Sequence, residues 1–324
     1  MRENTLFLIF SLLFLARISV SGERGGFQQS QDNSLKLSGF TQVGYVLWED
    51  GTSEFKIRRS RINLKGDIFK GMNFKLQVDA VKNAILLDAI VEFNLSSFLA
   101  MKIGQFKVPF SLENLVSSSA LDTINRSQTV EKLCPGRDIG SQGRDIGALL
   151  NVKFSKIECS LGVFNGSGIN RGDLNKQKDI GGRLVFHPLS FLQGAAAFYK
   201  GQYSLNLGGT PVRRDRAEIE ILFTQNPFSL KGECIFAKDD QTSRNGWYVQ
   251  AGYFLLSKKL QSIIKYDSYD KAREMAGDRS DLITFGLNFF FTENTKLQVN
   301  YELYREESGR RSNSALLAQF QAGF

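Results

Sequence analysis

The sequence contains few of the residues that mark several other classes of protein. Its 324 residues include one histidine, 5 prolines and 3 cysteines. Cys134, Cys159 and Cys234 are odd in number and widely spaced, without metal-ligand spacing, so no essential disulfide is expected. After residue 21 no apolar run reaches the length of about 18 residues that a membrane-spanning helix needs. A helical membrane protein is therefore excluded.

The sequence also offers little for catalysis. The only histidine, His187, directly precedes Pro188 in a predicted turn. Ser-His catalysis needs the histidine beside a nucleophile and an orienting third group, and the sequence supplies neither. We expect no enzyme, no catalytic residue, no metal and no cofactor. The net charge of +8 suggests nucleic acid as a partner, but no recognised nucleic-acid motif accompanies the basic residues, so we discount it.

What the sequence has instead is alternation of apolar and polar residues. Side chains of an extended chain point to opposite faces in turn, so the last ten residues place Gln319, Gln321 and Gly323 on one face. The other face carries apolar residues: Leu316, Ala318, Phe320, Ala322 and Phe324. A last strand of this kind, closed by a terminal phenylalanine, resembles that of bacterial outer-membrane barrels.

The same alternation predicts sixteen strands, an even number as a closed antiparallel bacterial barrel requires. Their predicted ranges are 36–48, 54–66, 72–80, 85–95, 98–107, 145–154, 156–165, 179–187, 191–200, 213–223, 227–238, 246–255, 259–267, 281–291, 295–304 and 315–324. The connections sort into mostly short even ones and several long odd ones, as periplasmic turns and outer loops do. The third outer loop, 108–144, is the longest, and we expect it to fold into the lumen.

The N-terminal residues predict export. Arg2 precedes an apolar run from Leu6 to Ala16, and Ser19 and Ser21 are small residues at cleavage positions. Residues 1–21 are therefore predicted to be a cleaved signal peptide. Residues 22–34 are predicted to be a flexible lead-in and 35–324 the transmembrane barrel, located in the bacterial outer membrane.

Basic residues follow the polar face of the second predicted strand. Arg59, Arg61 and Lys65 share that face, and a row of such cations on a pore wall attracts anions. The same assignment places Lys75, Lys102 and Arg183 near mid-height, and Arg214, Arg216 and Lys265 nearer the outer mouth. Wall carboxylates almost balance these cations. The alternative is that the basic residues pair with those carboxylates for stability.

Several segments resemble the phosphate-selective porin O and P family. The basic second strand, residues 55–66, looks like a family motif, and further matches follow in the same order: 104–110, 135–140, 162–166, 182–184 and 246–253. The resemblance spans nearly the whole chain after residue 21. It implies a sixteen-stranded, usually trimeric outer-membrane channel that often prefers phosphate or other anions.

We therefore predict a water-filled porin for passive diffusion of small solutes, with a preference for anions, phosphate among them. Its expected partners are small anions, outer-membrane lipid and two further copies in a homotrimer. The candidate pore-lining residues are Arg59, Arg61, Lys65, Lys75, Lys102, Arg126, Arg137, Arg183, Arg214 and Arg216. The alternative is a non-selective barrel, or a closed barrel with a structural or adhesive role.

Overall fold

The computed structural model describes residues 35–81, 86–204, 209–309 and 314–324. The predicted signal peptide and lead-in lie outside these residues. Among the described residues, no helix is both long and apolar enough to cross a membrane.

The described residues form sixteen antiparallel strands that close into one barrel, which confirms the predicted fold class. The strands are β1 Lys36–Trp48, β2 Ser53–Phe69, β3 Met72–Asp79, β4 Leu86–Asn94, β5 Leu99–Lys107, β6 Arg144–Phe154, β7 Ile157–Phe164, β8 Asp179–Leu189, β9 Leu192–Tyr203, β10 Val212–Gln225, β11 Phe228–Asp239, β12 Thr242–Leu256, β13 Leu260–Asp270, β14 Arg279–Phe290, β15 Lys296–Glu306 and β16 Ala315–Gly323. Each strand pairs with its neighbours in sequence, and β1 pairs with β16.

The barrel closes where β16 meets β1. Phe324 and Gly39 exchange two backbone hydrogen bonds of 3.0 Å each. On the inner face, the amide of Gln42 donates to Oε1 of Gln321 at 2.7 Å. The predicted faces of the last strand are confirmed, since Gln321 is 2% exposed and Phe320 is 45% exposed.

The strands alternate between an apolar outer face and a polar inner face. In β10, Ile219 and Ile221 are 60% and 50% exposed, whereas Glu218 and Glu220, which alternate with them, are buried. Aromatic pairs such as Phe228–Tyr253, with ring centroids 4.8 Å apart, lie near the short turns. An apolar outer band with aromatic residues at its edge suits contact with lipid, and a polar interior suits water.

The connections confirm the predicted asymmetry, with one correction to the bounds of a turn. The even turns are short, such as 155–156, 190–191 and 226–227, while the odd connections include 108–143 and 165–178. The sixth odd connection, 240–241, is an exception and is as short as the turns. His187 and Pro188 were predicted to form a turn, but β8 continues through them to Leu189 because the turn itself needs only two residues.

One irregularity changes the face of a basic residue. The pairing of β1 with β2 shifts between Gln42 and Val43, so that Gln42 lies opposite Arg59 and Val43 opposite Ile57. Arg58 is the extra residue of this β-bulge. Its guanidinium therefore also reaches the interior, where it donates to Oδ1 of Asn125 at 2.7 Å.

Candidate functional site

The third outer loop, residues 108–143, lies inside the barrel, as predicted. We call it the constriction loop. It contains two short helices, α1 (Leu112–Leu115) and α2 (Gln128–Leu133), with a 3₁₀ turn at Ser118–Ala120 between them. Ser111 and Ser127 cap the helices by accepting hydrogen bonds from the N–H groups of Asn114 and Val130. The caps fix local turns in a segment that is too long to hold its shape without partners.

An apolar cluster holds one side of the constriction loop against the inner wall. Phe110, Val130 and Leu133 are fully buried, and they pack with wall residues such as Tyr199 and Tyr248. Burying side chains of this size is worth roughly 1.5–3 kcal/mol each. The core of this protein thus lies inside the barrel, between the loop and the wall.

Carboxylates of the wall bind the N–H groups of both helices. Glu218 on β10 accepts from the N–H of Ser111, and Glu233 on β11 accepts from that of Glu113, both at 2.7 Å. Asp267 on β13 accepts from the N–H of Gln128 at 2.5 Å. Negative groups at the first turn of a helix satisfy donors that have no partner within the helix.

The middle of the constriction loop continues across the lumen to β14 and β15. The N–H of Ile124 donates to Oδ1 of Asn300 at 2.7 Å, and the amide of Asn288 donates to the carbonyl of Asp122 at 2.8 Å. The loop therefore covers the wall formed by β10 to β15. The space that remains lies along the opposite wall, from β2 to β8.

That space forms a cavity of about 330 Å³. Its charged lining residues are six cations and one carboxylate: Arg61, Lys75, Lys102, Lys107, Arg144, Arg183 and Asp88. Two adjoining cavities of about 420 and 280 Å³ share Lys75 with it, and Lys65 lines both of them. The three cavities together give the barrel a basic inner wall on the side that the loop leaves open.

Arg61 holds the constriction loop and is only 5% exposed. Its Nε donates to Asp79 at 2.9 Å, its Nη1 to Oγ of Ser118 at 3.1 Å and its Nη2 to Oε1 of Gln142 at 3.0 Å. Each of its three nitrogens thus donates to one partner. We conclude that Arg61 ties β2 to the loop at Ser118 and at Gln142, near the end of the loop, while its charge lies at the cavity.

Three other predicted cations pair with wall carboxylates yet remain partly accessible. Lys102 lies 3.0 Å from Glu92, and its side chain is 34% exposed. Lys75 pairs with Asp88, and its side chain is 29% exposed. Arg183 pairs with Glu220. The sequence left open the alternative that the basic residues pair with wall carboxylates for stability. Most of the wall cations do form such pairs, although several of them also line the cavity.

The remaining predicted arginines lie around the constriction loop. Arg214 and Arg216 are buried and both contact Asp138 of the loop, at 3.2 and 2.9 Å. Arg137 pairs with Glu131 at 2.7 Å within the loop. Arg126 donates to the carbonyls of Glu113 and Val116. The structure therefore does not bring Arg126, Arg137, Arg214 and Arg216 to the wall of the 330 Å³ cavity.

Arg59 and Lys65 differ from these residues. In the described part of the chain neither forms an ion pair: Arg59 donates to Oε1 of Gln42 at 2.8 Å, and Lys65 lines the two adjoining cavities. The predicted stripe of Arg59, Arg61 and Lys65 thus lies on the inner face, but its three members have different surroundings.

Sequence reasoning missed Lys107 and Arg144, which lie opposite each other where the constriction loop leaves β5 and joins β6. Lys107 and Arg144 are paired residues of β5 and β6. Lys107 donates to the carbonyl of Val116 at 2.8 Å, and Arg144 contacts Asp88 at 2.6 Å. Gly104, with a φ of 125°, was the available signal, because an isolated glycine inside a strand often marks a break in the alternation.

The charges of the constriction loop depend on its surroundings. Burial alone would raise the pKa of Glu113, but Lys265, Lys231 and Arg126 outweigh it and lower that pKa below its ordinary value. Burial, with a smaller effect of Arg137, lowers the pKa of Arg126 to about 9. Both groups are therefore charged at neutral pH, and they strengthen the attachment of the loop.

One group of described residues has the composition of a metal-ligand set. Glu218, Glu220 and Glu233 each bring a carboxylate oxygen within 4.8 Å of the other two. These carboxylates also accept hydrogen bonds from the constriction loop, from the hydroxyl of Tyr248 and from the amide of Gln193, and Glu220 pairs with Arg183. Their visible role is to attach the loop to β10 and β11.

The comparison with known protein families identifies the chain. The model of the family described as "Phosphate-selective porin O and P" matches residues 40–191 and 180–322. The chain belongs to this family. No curated protein matches this porin.

Solved structures share the fold of this porin at low sequence identity. The anion-selective porin from Comamonas acidovorans has a TM-score of 0.69 and 16% identity, covering 90% of this chain and 100% of that one. The outer membrane channel DcaP of Acinetobacter baumannii has a TM-score of 0.67 and 13% identity, with 92% and 100% covered. OmpT of Vibrio cholerae, described in a trimer form, has a TM-score of 0.64 and 12% identity, with 90% and 99% covered. At these identities the likeness shows the fold.

Proposed function

We propose that this outer-membrane porin forms a water-filled channel that prefers anions. The observation that carries the proposal is the cavity beside the constriction loop, where six cations face a single carboxylate. In a narrow space between low-dielectric walls, such an excess of one sign raises the local concentration of the opposite ion.

The excess of positive charge remains when the carboxylates that pair with the lining cations are counted. The lining cations pair with four carboxylates: Asp79, Asp88, Glu92 and Glu220. Lys107 donates to carbonyls of the loop, and even without it five cations against four carboxylates leave the cavity positive. Lys65, which forms no ion pair with any described residue, adds to this in the adjoining cavities. The preference we propose is therefore moderate, as expected of a general channel rather than of a tight binding site.

The family match favours phosphate as one of the anions that pass, since ammonium and guanidinium groups both bind phosphate oxygens. The porin from Comamonas acidovorans has the same fold and is named as anion-selective, which also supports a preference for anions. The fold and the family indicate a channel rather than an enzyme.

The proposal includes the export and assembly of the chain. Residues 1–21 act as a cleaved signal peptide, residues 22–34 as a lead-in, and residues 35–324 as the barrel. Three copies assemble in the outer membrane, as in the trimer form of the Vibrio cholerae protein of the same fold. Chemical cross-linking in native outer membranes, with a ladder ending at three copies, tests the assembly.

Planar-bilayer recording tests the channel itself. The full-length porin, reconstituted under a KCl gradient, should conduct and should give a reversal potential of the sign set by chloride. A reversal potential set by potassium would refute the anion preference. No conductance at all would favour the alternative of a closed structural or adhesive barrel.

A further inference from the structure

We propose that the cavity beside the constriction loop selects organic anions with an apolar body over inorganic anions. This inference rests on the proposed anion preference and specifies its substrate class. Alongside its cations, the cavity is lined by apolar residues from both sides: Ile90, Phe106 and Leu149 from the wall, and Pro109 and Leu115 from the loop. A surface built only for inorganic phosphate has no use for apolar groups, because they offer its oxygens no donor.

Strand register places the apolar residues of the wall directly beside lysines. Ile90 on β4 is the partner of Lys75 on β3, and Leu149 on β6 is the partner of Lys102 on β5. Side chains that are directly opposite on neighbouring strands lie within about 4.5–5.5 Å of each other at Cβ. A carboxylate that contacts either lysine therefore brings the group attached to it over an apolar side chain.

The loop supplies the facing apolar surface. Leu115 closes α1 and is half-buried, with part of its surface toward the cavity. Lys107 fixes it in place by donating to the carbonyls of Leu115 and Val116 at 3.2 and 2.8 Å. Ile90, which is also half-buried, lines the same cavity from the wall. An apolar body can thus be contacted from two sides while its charged group stays near the lysines.

The size of the cavity agrees with this class of ligand. Its volume of about 330 Å³ is at the lower end of the roughly 300–1,000 Å³ found for small-molecule sites. A single aromatic or branched carboxylate fits such a volume, whereas an inorganic anion would leave the apolar lining in contact with water. An anion with an apolar body is favoured because it removes the apolar lining from water.

The test compares two anions of equal charge that differ in their apolar part. Benzoate and acetate are added in turn to the full-length porin in planar bilayers while the chloride current is recorded. Benzoate should block at a concentration about tenfold lower than acetate, as expected for burial of part of a ring. Inorganic phosphate, matched for ionic strength, should need a higher concentration than benzoate for the same block.

Two variants locate the effect. Ile90→Thr and Leu115→Thr should each reduce the advantage of benzoate severalfold and leave the chloride preference unchanged. Ile103→Thr is the matched control, because Ile103 lies on β5 and is 45% exposed on the outer face. If one lining variant fails to fold, the other alone decides, since they lie on separate segments.

The outcomes separate this inference from the proposed function. If the channel prefers chloride but benzoate and acetate block equally, selection by the apolar lining is refuted and the anion preference stands. The same holds if benzoate blocks better but both lining variants behave like Ile103→Thr. If the wild type shows no anion preference, the proposed function itself fails.

Discussion

The Lys102–Glu92 pair allows a direct measurement of how single charges set the ion preference. The two side chains are 3.0 Å apart and 34% and 24% exposed. Both line the same cavity of about 420 Å³. Lys102→Gln removes a positive charge from this wall, and Glu92→Gln removes a negative charge from almost the same place. Each variant is therefore the control for the other.

The size of the effect follows from the size of the cavity. A sphere of about 420 Å³ has a radius of about 4.6 Å, so an ion at its centre lies roughly 6 Å from a lining charge. In water, two unit charges at that distance interact by about 0.7 kcal/mol, and screening in 0.1 M salt reduces this to about 0.4 kcal/mol. Because anions and cations respond in opposite directions, the anion-to-cation permeability ratio should change about fourfold per charge.

Reversal potentials in KCl gradients measure that ratio. Lys102→Gln should lower it about fourfold near 0.1 M salt and Glu92→Gln should raise it by a similar factor, with both shifts nearly lost near 1 M salt. If both variants move the ratio in the same direction, or if the shifts persist in 1 M salt, the preference is not set by the wall charges of this cavity.

Three further predictions concern the constriction loop and the outer face. Arg61→Ala leaves the buried Asp79 without its partner, which should lower the free energy of unfolding by about 3–5 kcal/mol. The loosened loop should turn a steady conductance into a noisy one, and a steady trace would contradict the role of Arg61 in holding the loop. Because the folded pKa of Glu113 is lowered, its contribution is complete above its ordinary pKa and is lost as pH falls through the lowered one. Conductance should thus stay steady from pH 7 to about 5 and become noisy only in stronger acid, whereas Glu113→Gln should be noisy already at pH 7. Cys159, exposed on the outer face, should react in membranes with a lipid-soluble maleimide but not a charged one, and the buried Cys134 should react with neither until the protein unfolds.

The strands could be predicted from sequence because their pattern is local. A barrel strand needs an apolar residue at every second position to face lipid, and that requirement is visible in any ten residues. The predicted strand 191–200 carries a run of alanines, yet the structure confirms it as Leu192–Tyr203. Its neighbours on both sides supply the pairing that its own sequence indicates only weakly.

The site was less predictable because it depends on two things that alternation does not encode. The bulge at Arg58 turns two successive arginines toward the interior, which a strict period of two cannot describe. The role of Arg61 depends on Ser118 and Gln142, whose positions follow from the path of the loop. Whether a wall cation attaches the loop or faces the open cavity is therefore decided by contacts that are distant in sequence.

The path of the constriction loop also has a consequence for the order of assembly. The loop follows β5 in the chain, yet Ser111 and Glu113 bind carboxylates on β10 and β11, more than 100 residues later, and Ile124 binds Asn300 on β15, 176 residues later. A chain that has formed only its first strands has none of these partners to offer. The loop can therefore reach its final position only after the last strands have paired. A docked loop indicates that the wall is complete and in the correct register.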